Sequence, residues 1–123
     1  MARILIIEDD DQFRTMLRKM LETAGYKDIE EAANGSIGVK LFRQHPFDLV
    51  ITDIVMPDKE GLEMIPELAR DYPRIKIIAM SGGGRTETQG YLKMAKYLGA
   101  SRTLAKPFEY SDLIDTVQEL LNE

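Results

Sequence analysis

The 123-residue chain predicts an α/β domain, a parallel β-sheet with helices on both faces. Two observations carry this. Short apolar runs alternate five times with segments whose apolar residues recur every three or four positions. Runs such as Ile4-Leu5-Ile6-Ile7 and Leu49-Val50-Ile51-Thr52 are apolar on both faces, as strands covered from two sides are. Alternating strands and helices then require right-handed crossovers and a doubly wound, five-stranded arrangement.

The first strand is expected at Arg3–Ile7. A helix follows from Asp11 to Ala24, with Phe13, Met16, Leu17, Met20 and Leu21 on one stripe and Gly25 as its stop. Ile29–Ala33 is short and polar, the mark of an edge strand. Asn34-Gly35-Ser36 opens a helix carrying Val39, Leu41 and Phe42, which must end before Pro46. The central strand is expected at Phe47–Thr52. A third helix begins after Gly61, carries Leu62, Ile65, Leu68 and Ala69, and stops before Pro73. Pro66 should lie in its first turn or kink it. Ile75–Met80 is the fourth strand. A Ser81-Gly82-Gly83-Gly84-Arg85 loop leads to a helix with Tyr91, Met94, Ala95 and Leu98, ending at Gly99. Thr103–Ala105 is the fifth strand, and Ser111–Leu121 the last helix.

Composition narrows the function. At 44% hydrophobic and 30% charged, the chain reads as one globular domain over residues 1–123, with no output domain expected. No apolar stretch approaches the roughly 20 residues of a membrane helix. Met1-Ala2-Arg3 leaves no room for a signal peptide, so a cytoplasmic location is expected. There are no cysteines, which excludes thiol chemistry and thiolate metal sites. A net charge of −5 with no Lys/Arg stripe argues against direct nucleic-acid binding.

Three strand ends are charged: Glu8-Asp9-Asp10-Asp11 after the first, Asp53 after the third, and Lys106-Pro107 after the fifth. Open α/β sheets bind ligands outside the carboxyl ends of their strands. If these runs are neighbours, several carboxylates and one ammonium meet at one point. Like charges gather at a cost, so the cluster asks for a cation.

Four motifs in order carry a resemblance over the whole chain. They are Ile6-Ile7-Glu8-Asp9-Asp10, Asp53-Ile54-Val55-Met56-Pro57 with Gly61, Ser81 after the fourth strand, and Lys106-Pro107-Phe108 after the fifth. Together they resemble the receiver domain of two-component response regulators. The resemblance implies a flavodoxin-like sheet of order 2-1-3-4-5, which would set Glu8, Asp9 and Asp53 side by side. It implies Asp53 as phosphoryl acceptor, a carboxylate attacking a kinase phosphohistidine. It further implies Mg²⁺ held by Glu8, Asp9, Asp53 and the backbone carbonyl of Val55, an oxygen donor set of the kind that ion takes. Lys106 would meet the phosphoryl oxygens, the Lys106-Pro107 peptide would be cis, and the Ser81 hydroxyl would donate to the phosphoryl group.

Implied partners are a sensor histidine kinase or phosphotransfer protein and an output protein. The output protein would meet the fourth helix, fifth strand and fifth helix, where Tyr91, Tyr97, Arg102 and Tyr110 lie. An intermediate role in a phosphorelay fits the same residues. The chain would then be a phosphoacceptor that catalyses its own modification, not an enzyme with turnover. Asp10 and Asp11 read as helix-start residues, and His45, the one histidine, as a helix C-terminal residue. Two departures from the family pattern stand out. The switch position three residues before Lys106 is Thr103 instead of an aromatic, and the loop after Ser81 is glycine-rich. Ordering of residues 82–88 is therefore the expected conformational output.

Two other classes fit less well. A phosphatase of the haloacid dehalogenase type needs a second Asp two residues after its nucleophile, where this chain has Val55. A flavin carrier of flavodoxin type needs a hydroxyl- and glycine-rich phosphate loop, where Glu8–Asp11 would repel phosphate.

Overall fold

The structure, a computed structural model, describes residues 2–54, 61–82 and 86–123, without the side chains of 61, 86–89 and 91. Its elements follow one another as β1 (Arg3–Ile7), α1 (Asp11–Thr23), β2 (Asp28–Ala32), α2 (Gly35–Gln44) and β3 (Leu49–Asp53). Then come α3 (Gly61–Asp71), β4 (Ile77–Ser81), α4 (Thr86–Leu98), β5 (Arg102–Ala105) and α5 (Tyr110–Leu121). All strand pairs are parallel, in the order β2-β1-β3-β4-β5.

The pleat explains why the strands are apolar throughout. Ile4 and Ile6 of β1, Leu49 and Ile51 of β3, and Ile78 and Met80 of β4 pack with Leu17 and Leu21 of α1 and Leu113, Ile114, Val117 and Leu120 of α5. Their alternates Leu5, Ile7, Val50, Ile77 and Ala79 face α2, α3 and α4 through Phe42, Met64, Ile65, Leu68 and Ala95. Successive side chains enter opposite layers, so both faces are apolar until the carboxyl ends, where Thr52, Asp53 and Ser81 are the buried polar residues of β3 and β4. The β2 edge carries Asp28, Glu30 and Glu31 instead, charges that discourage edge-to-edge pairing.

Ladders begin two residues later than the apolar runs at β3 and β4, and end one residue later. Phe47 is buried by packing against Phe42, with ring centroids 6.0 Å apart, before the β3 ladder opens. Ile75 similarly packs on the core ahead of β4. The shift makes Asp53 and Ser81 the last residues of their strands. β2 runs Asp28–Ala32, one residue earlier than expected, and β5 starts at Arg102. Pro66 sits in the second turn of α3, not the first, where it removes the bond to the Leu62 carbonyl.

Gly38 sets the distance of α2 from the sheet. A Cβ there would collide with Ile7 Cδ1 and stand 2.8 Å from Ile7 Cγ1, and Ile7 is wholly buried. Gly38→Ala should therefore destabilise the fold by about 1–3 kcal/mol from overpacking, despite alanine's better helix propensity. Urea unfolding checks this; unchanged or greater stability would mean that α2 can retreat freely.

Candidate functional site

The topology assembles the site. β1 and β3 are neighbours with Ile7 opposite Thr52, so the residues that follow, Glu8 and Asp53, emerge together. Glu8 stays against the sheet through its N–H bond to the Ala32 carbonyl, 3.0 Å. The chain then turns into α1, and Asp10 caps that helix by accepting from the N–H groups of Gln12 and Phe13. Asp11 lies in the first turn and pairs with Arg14 at 2.6 Å. β4 separates β3 from β5, so the residue after β5 needs a long arm to reach Asp53. Lys106 supplies it. Its N–H bonds the Ser81 carbonyl at 2.8 Å, which fixes the root of that arm beside the end of β4.

Carboxylate oxygens of Glu8, Asp9 and Asp53 lie within 4.8 Å of one another. Lys106 Nζ donates to Glu8 Oε1 at 2.7 Å and to Asp53 Oδ2 at 3.3 Å. The other Glu8 oxygen accepts from the Asp10 N–H at 3.2 Å, and Asp53 Oδ1 accepts from the Ile54 N–H at 2.8 Å. Glu8 and Asp53 are buried, whereas Asp9 is exposed. Arg14 braces the acidic loop from below. It donates to the Glu8 carbonyl at 2.8 Å, to Glu31 at 2.9 Å and to Asp11.

Burial pushes the Glu8 carboxyl up to about 7, and nearby Asp53 adds to the rise while the Lys106 hydrogen bond opposes it. For Lys106 burial works against the charge. The Glu8 hydrogen bond and the fields of Asp53 and Glu8 outweigh it, and the ammonium ends above its ordinary range. Three carboxylates against one ammonium leave a formal excess of two negative charges, all on hard oxygen donors. That donor set suits a small divalent cation such as Mg²⁺.

Ser81 is buried at the end of β4, next to β3 in the sheet. Thr103 is half-buried in β5 opposite Ala79. The Lys106-Pro107 peptide is cis. His45 is the C-cap of α2 and is exposed. Tyr97 is 86% exposed on α4, and Tyr110 opens α5 at 40%. Val55, the Tyr91 side chain and part of the 82–88 loop lie outside the described residues.

One contact escaped the sequence reading. Lys106 Nζ sits over the ring of Phe13, 4.2 Å from its centroid, and Phe108 meets that ring edge-on at 5.8 Å. Helical spacing assigned Phe13 to the core stripe. The available signal was an aromatic in the first turn after the acidic run, with a second one two residues beyond Lys106. A hollow of about 450 Å³ lined by Ala2, Phe47, Asp48, Arg74, Lys76 and Leu121 opens near the other ends of the strands. None of the clustered carboxylates lines it.

The model of the response regulator receiver domain matches residues 4–118. The chain is 32% identical over 121 residues to the response regulator receiver protein CpdR of Brucella abortus, covering 98% of both chains. It is 36% identical to the DNA-binding transcriptional regulator NtrC of Azospirillum brasilense, spanning 98% of this chain but only 24% of that protein. Among solved structures, a CheY-like receiver domain protein from Methanospirillum hungatei superposes with a TM-score of 0.87 at 30% identity, over 99% of this chain and 94% of that one. Among the described residues no helix is long and apolar enough to cross a membrane. With its sheet order, its strand-end acids and these matches, the chain belongs to the receiver domain family of two-component response regulators.

Proposed function

We propose that this chain is a phosphoacceptor switch, in which Asp53 takes a phosphoryl group from the phosphohistidine of a sensor kinase or phosphotransfer protein. One observation carries the reading: Lys106 bridges Glu8 and Asp53 inside a cluster of three carboxylates. An oxygen of Asp53 forms the new O–P bond as the P–N bond to the donor imidazole breaks. The imidazole leaves with the electron pair and takes its proton from solvent. The Ile54 N–H fixes one Asp53 oxygen and so aims the carboxylate. Lys106 faces the incoming phosphoryl oxygens as a point charge, and Ser81 offers its hydroxyl to one of them. Glu8, Asp9, Asp53 and the Val55 carbonyl would hold Mg²⁺, which supplies neutralisation of the phosphoryl charge when bound.

The conformational change would be read by an output protein on the face of α4, β5 and α5. Met94 and Tyr97 of α4 and Tyr110 of α5 expose apolar surface, and Arg102 of β5 pairs with Glu123. With Thr103 in β5, no aromatic at that position can report the change, so the residues after Ser81 carry it.

Incubation with acetyl phosphate and Mg²⁺ should add the mass of one phosphoryl group, and chelating the metal should prevent it. No mass increment with Mg²⁺ present would refute the reading. The metal dependence should also follow pH. Glu8 holds a proton in the folded state that the unfolded chain releases above its ordinary value of 4.5. Its contribution to stability is thus full below about 4.5 and is lost as pH rises through about 7. Mg²⁺ competes with that proton, so its affinity should climb to about pH 7 and then level off. Calorimetric titration at several pH values tests this; a flat profile would show that Glu8 is not a ligand.

A further inference from the structure

We infer that Phe13 is a positioning residue for the phosphoryl-transfer chemistry, holding the Lys106 ammonium over the site with its ring face. The inference rests on the phosphoacceptor reading above. An ammonium has three N–H donors. Glu8 Oε1 and Asp53 Oδ2 take two of them, and the Phe13 ring covers the side that remains, 4.2 Å from Nζ. The negative face of an aromatic ring attracts such a cation, more strongly where water is excluded. Here Lys106 is only 18% exposed.

Phe108 makes the arrangement definite. Its ring meets Phe13 at 79° and 5.8 Å, an edge-to-face pair that fixes the ring plane. Phe13 belongs to the first turn of α1, close behind Glu8 and Asp9, while Phe108 follows Lys106 by two residues. The pair therefore ties the acidic loop to the lysine loop. The device matters when the site is charged. A phosphoryl group arriving on Asp53 draws Lys106 away from Glu8, and its four-carbon stem has many other rotamers open to it. A ring on the remaining side leaves the ammonium bound to the site throughout, without placing a competing carboxylate there.

The test begins with the native chain. In a ¹H–¹³C spectrum the Lys106 Cε protons should be displaced upfield by the Phe13 ring current, and an unshifted position would overturn the proposal whatever any variant does. Phe13→Leu keeps apolar volume and removes the ring face. It should abolish that displacement and slow acetyl phosphate labelling roughly three- to tenfold, whereas Phe13→Tyr should retain both. In a Lys106→Ala background, Phe13→Leu should leave the remaining slow labelling unchanged. An equal loss in both backgrounds would mean that Phe13 acts through packing alone and would overturn the inference. If the native chain itself takes no phosphoryl group, the phosphoacceptor reading fails, and the ring-current measurement still decides whether ring and ammonium meet.

Discussion

Asp53→Asn should abolish phosphoryl incorporation entirely while leaving the fold intact. Asparagine keeps the shape, and its amide oxygen can still accept from the Ile54 N–H that now bonds Asp53 Oδ1 at 2.8 Å. Lys106 loses its weaker partner at 3.3 Å and keeps Glu8 at 2.7 Å. The change also removes one of three carboxylates crowded within 4.8 Å. In metal-free buffer the variant should therefore melt at the same temperature as the native chain or higher. In Mg²⁺ the native chain should gain more stability than the variant, since binding to the folded state alone stabilises it. Intact mass spectrometry and paired thermal melts cover both statements. Labelling of the variant at the native rate would place the acceptor elsewhere.

Lys106→Ala should slow labelling by about 10²-fold, the usual cost of losing one preorganised donor at the reacting group. Metal binding should survive and, at a pH where Glu8 is ionised, tighten, because Nζ no longer competes for Glu8 Oε1. Removing the ammonium also takes away the hydrogen bond that holds the Glu8 carboxyl down. Its pKa should then rise further above about 7, and the pH dependence of Mg²⁺ affinity should move upward with it. The chain has no tryptophan, so calorimetry is the natural readout. Weaker metal binding in this variant, at a pH where Glu8 is ionised, would show that Lys106 organises the carboxylates instead of competing for one.

Much of this was legible in the chain because parallel strands leave a simple trace. β1, β3 and β4 are covered on both faces, so their apolar runs break off where the sheet ends, and the residues after the break are Glu8, Asp53 or Ser81. The break marks the carboxyl edge of the sheet whatever the strand order. The order itself came from the family resemblance, since nothing in periodicity says that β1 lies between β2 and β3. Ladder limits were less legible, because hydrophobicity reports burial and not pairing: Phe47 is buried outside the ladder. Of the two outcomes expected for Pro66, the first-turn placement fails, since α3 begins at Gly61 and Pro66 is its sixth residue. Phe13 shows the deeper limit. Its spacing with Leu17 and Leu21 is that of a core residue, and it does pack on that layer. Its second contact, with Lys106, joins positions far apart in the chain and leaves no periodic trace.

On the reading proposed above, these side chains make Asp53 a Mg²⁺-dependent phosphoryl acceptor. Borohydride reduces an acyl phosphate of aspartate to homoserine, which peptide mass spectrometry locates to a single residue. After acetyl phosphate and Mg²⁺, homoserine should be found at position 53 and should vanish when the metal is chelated. Homoserine at another aspartate, or the same yield at 53 without metal, would contradict the account.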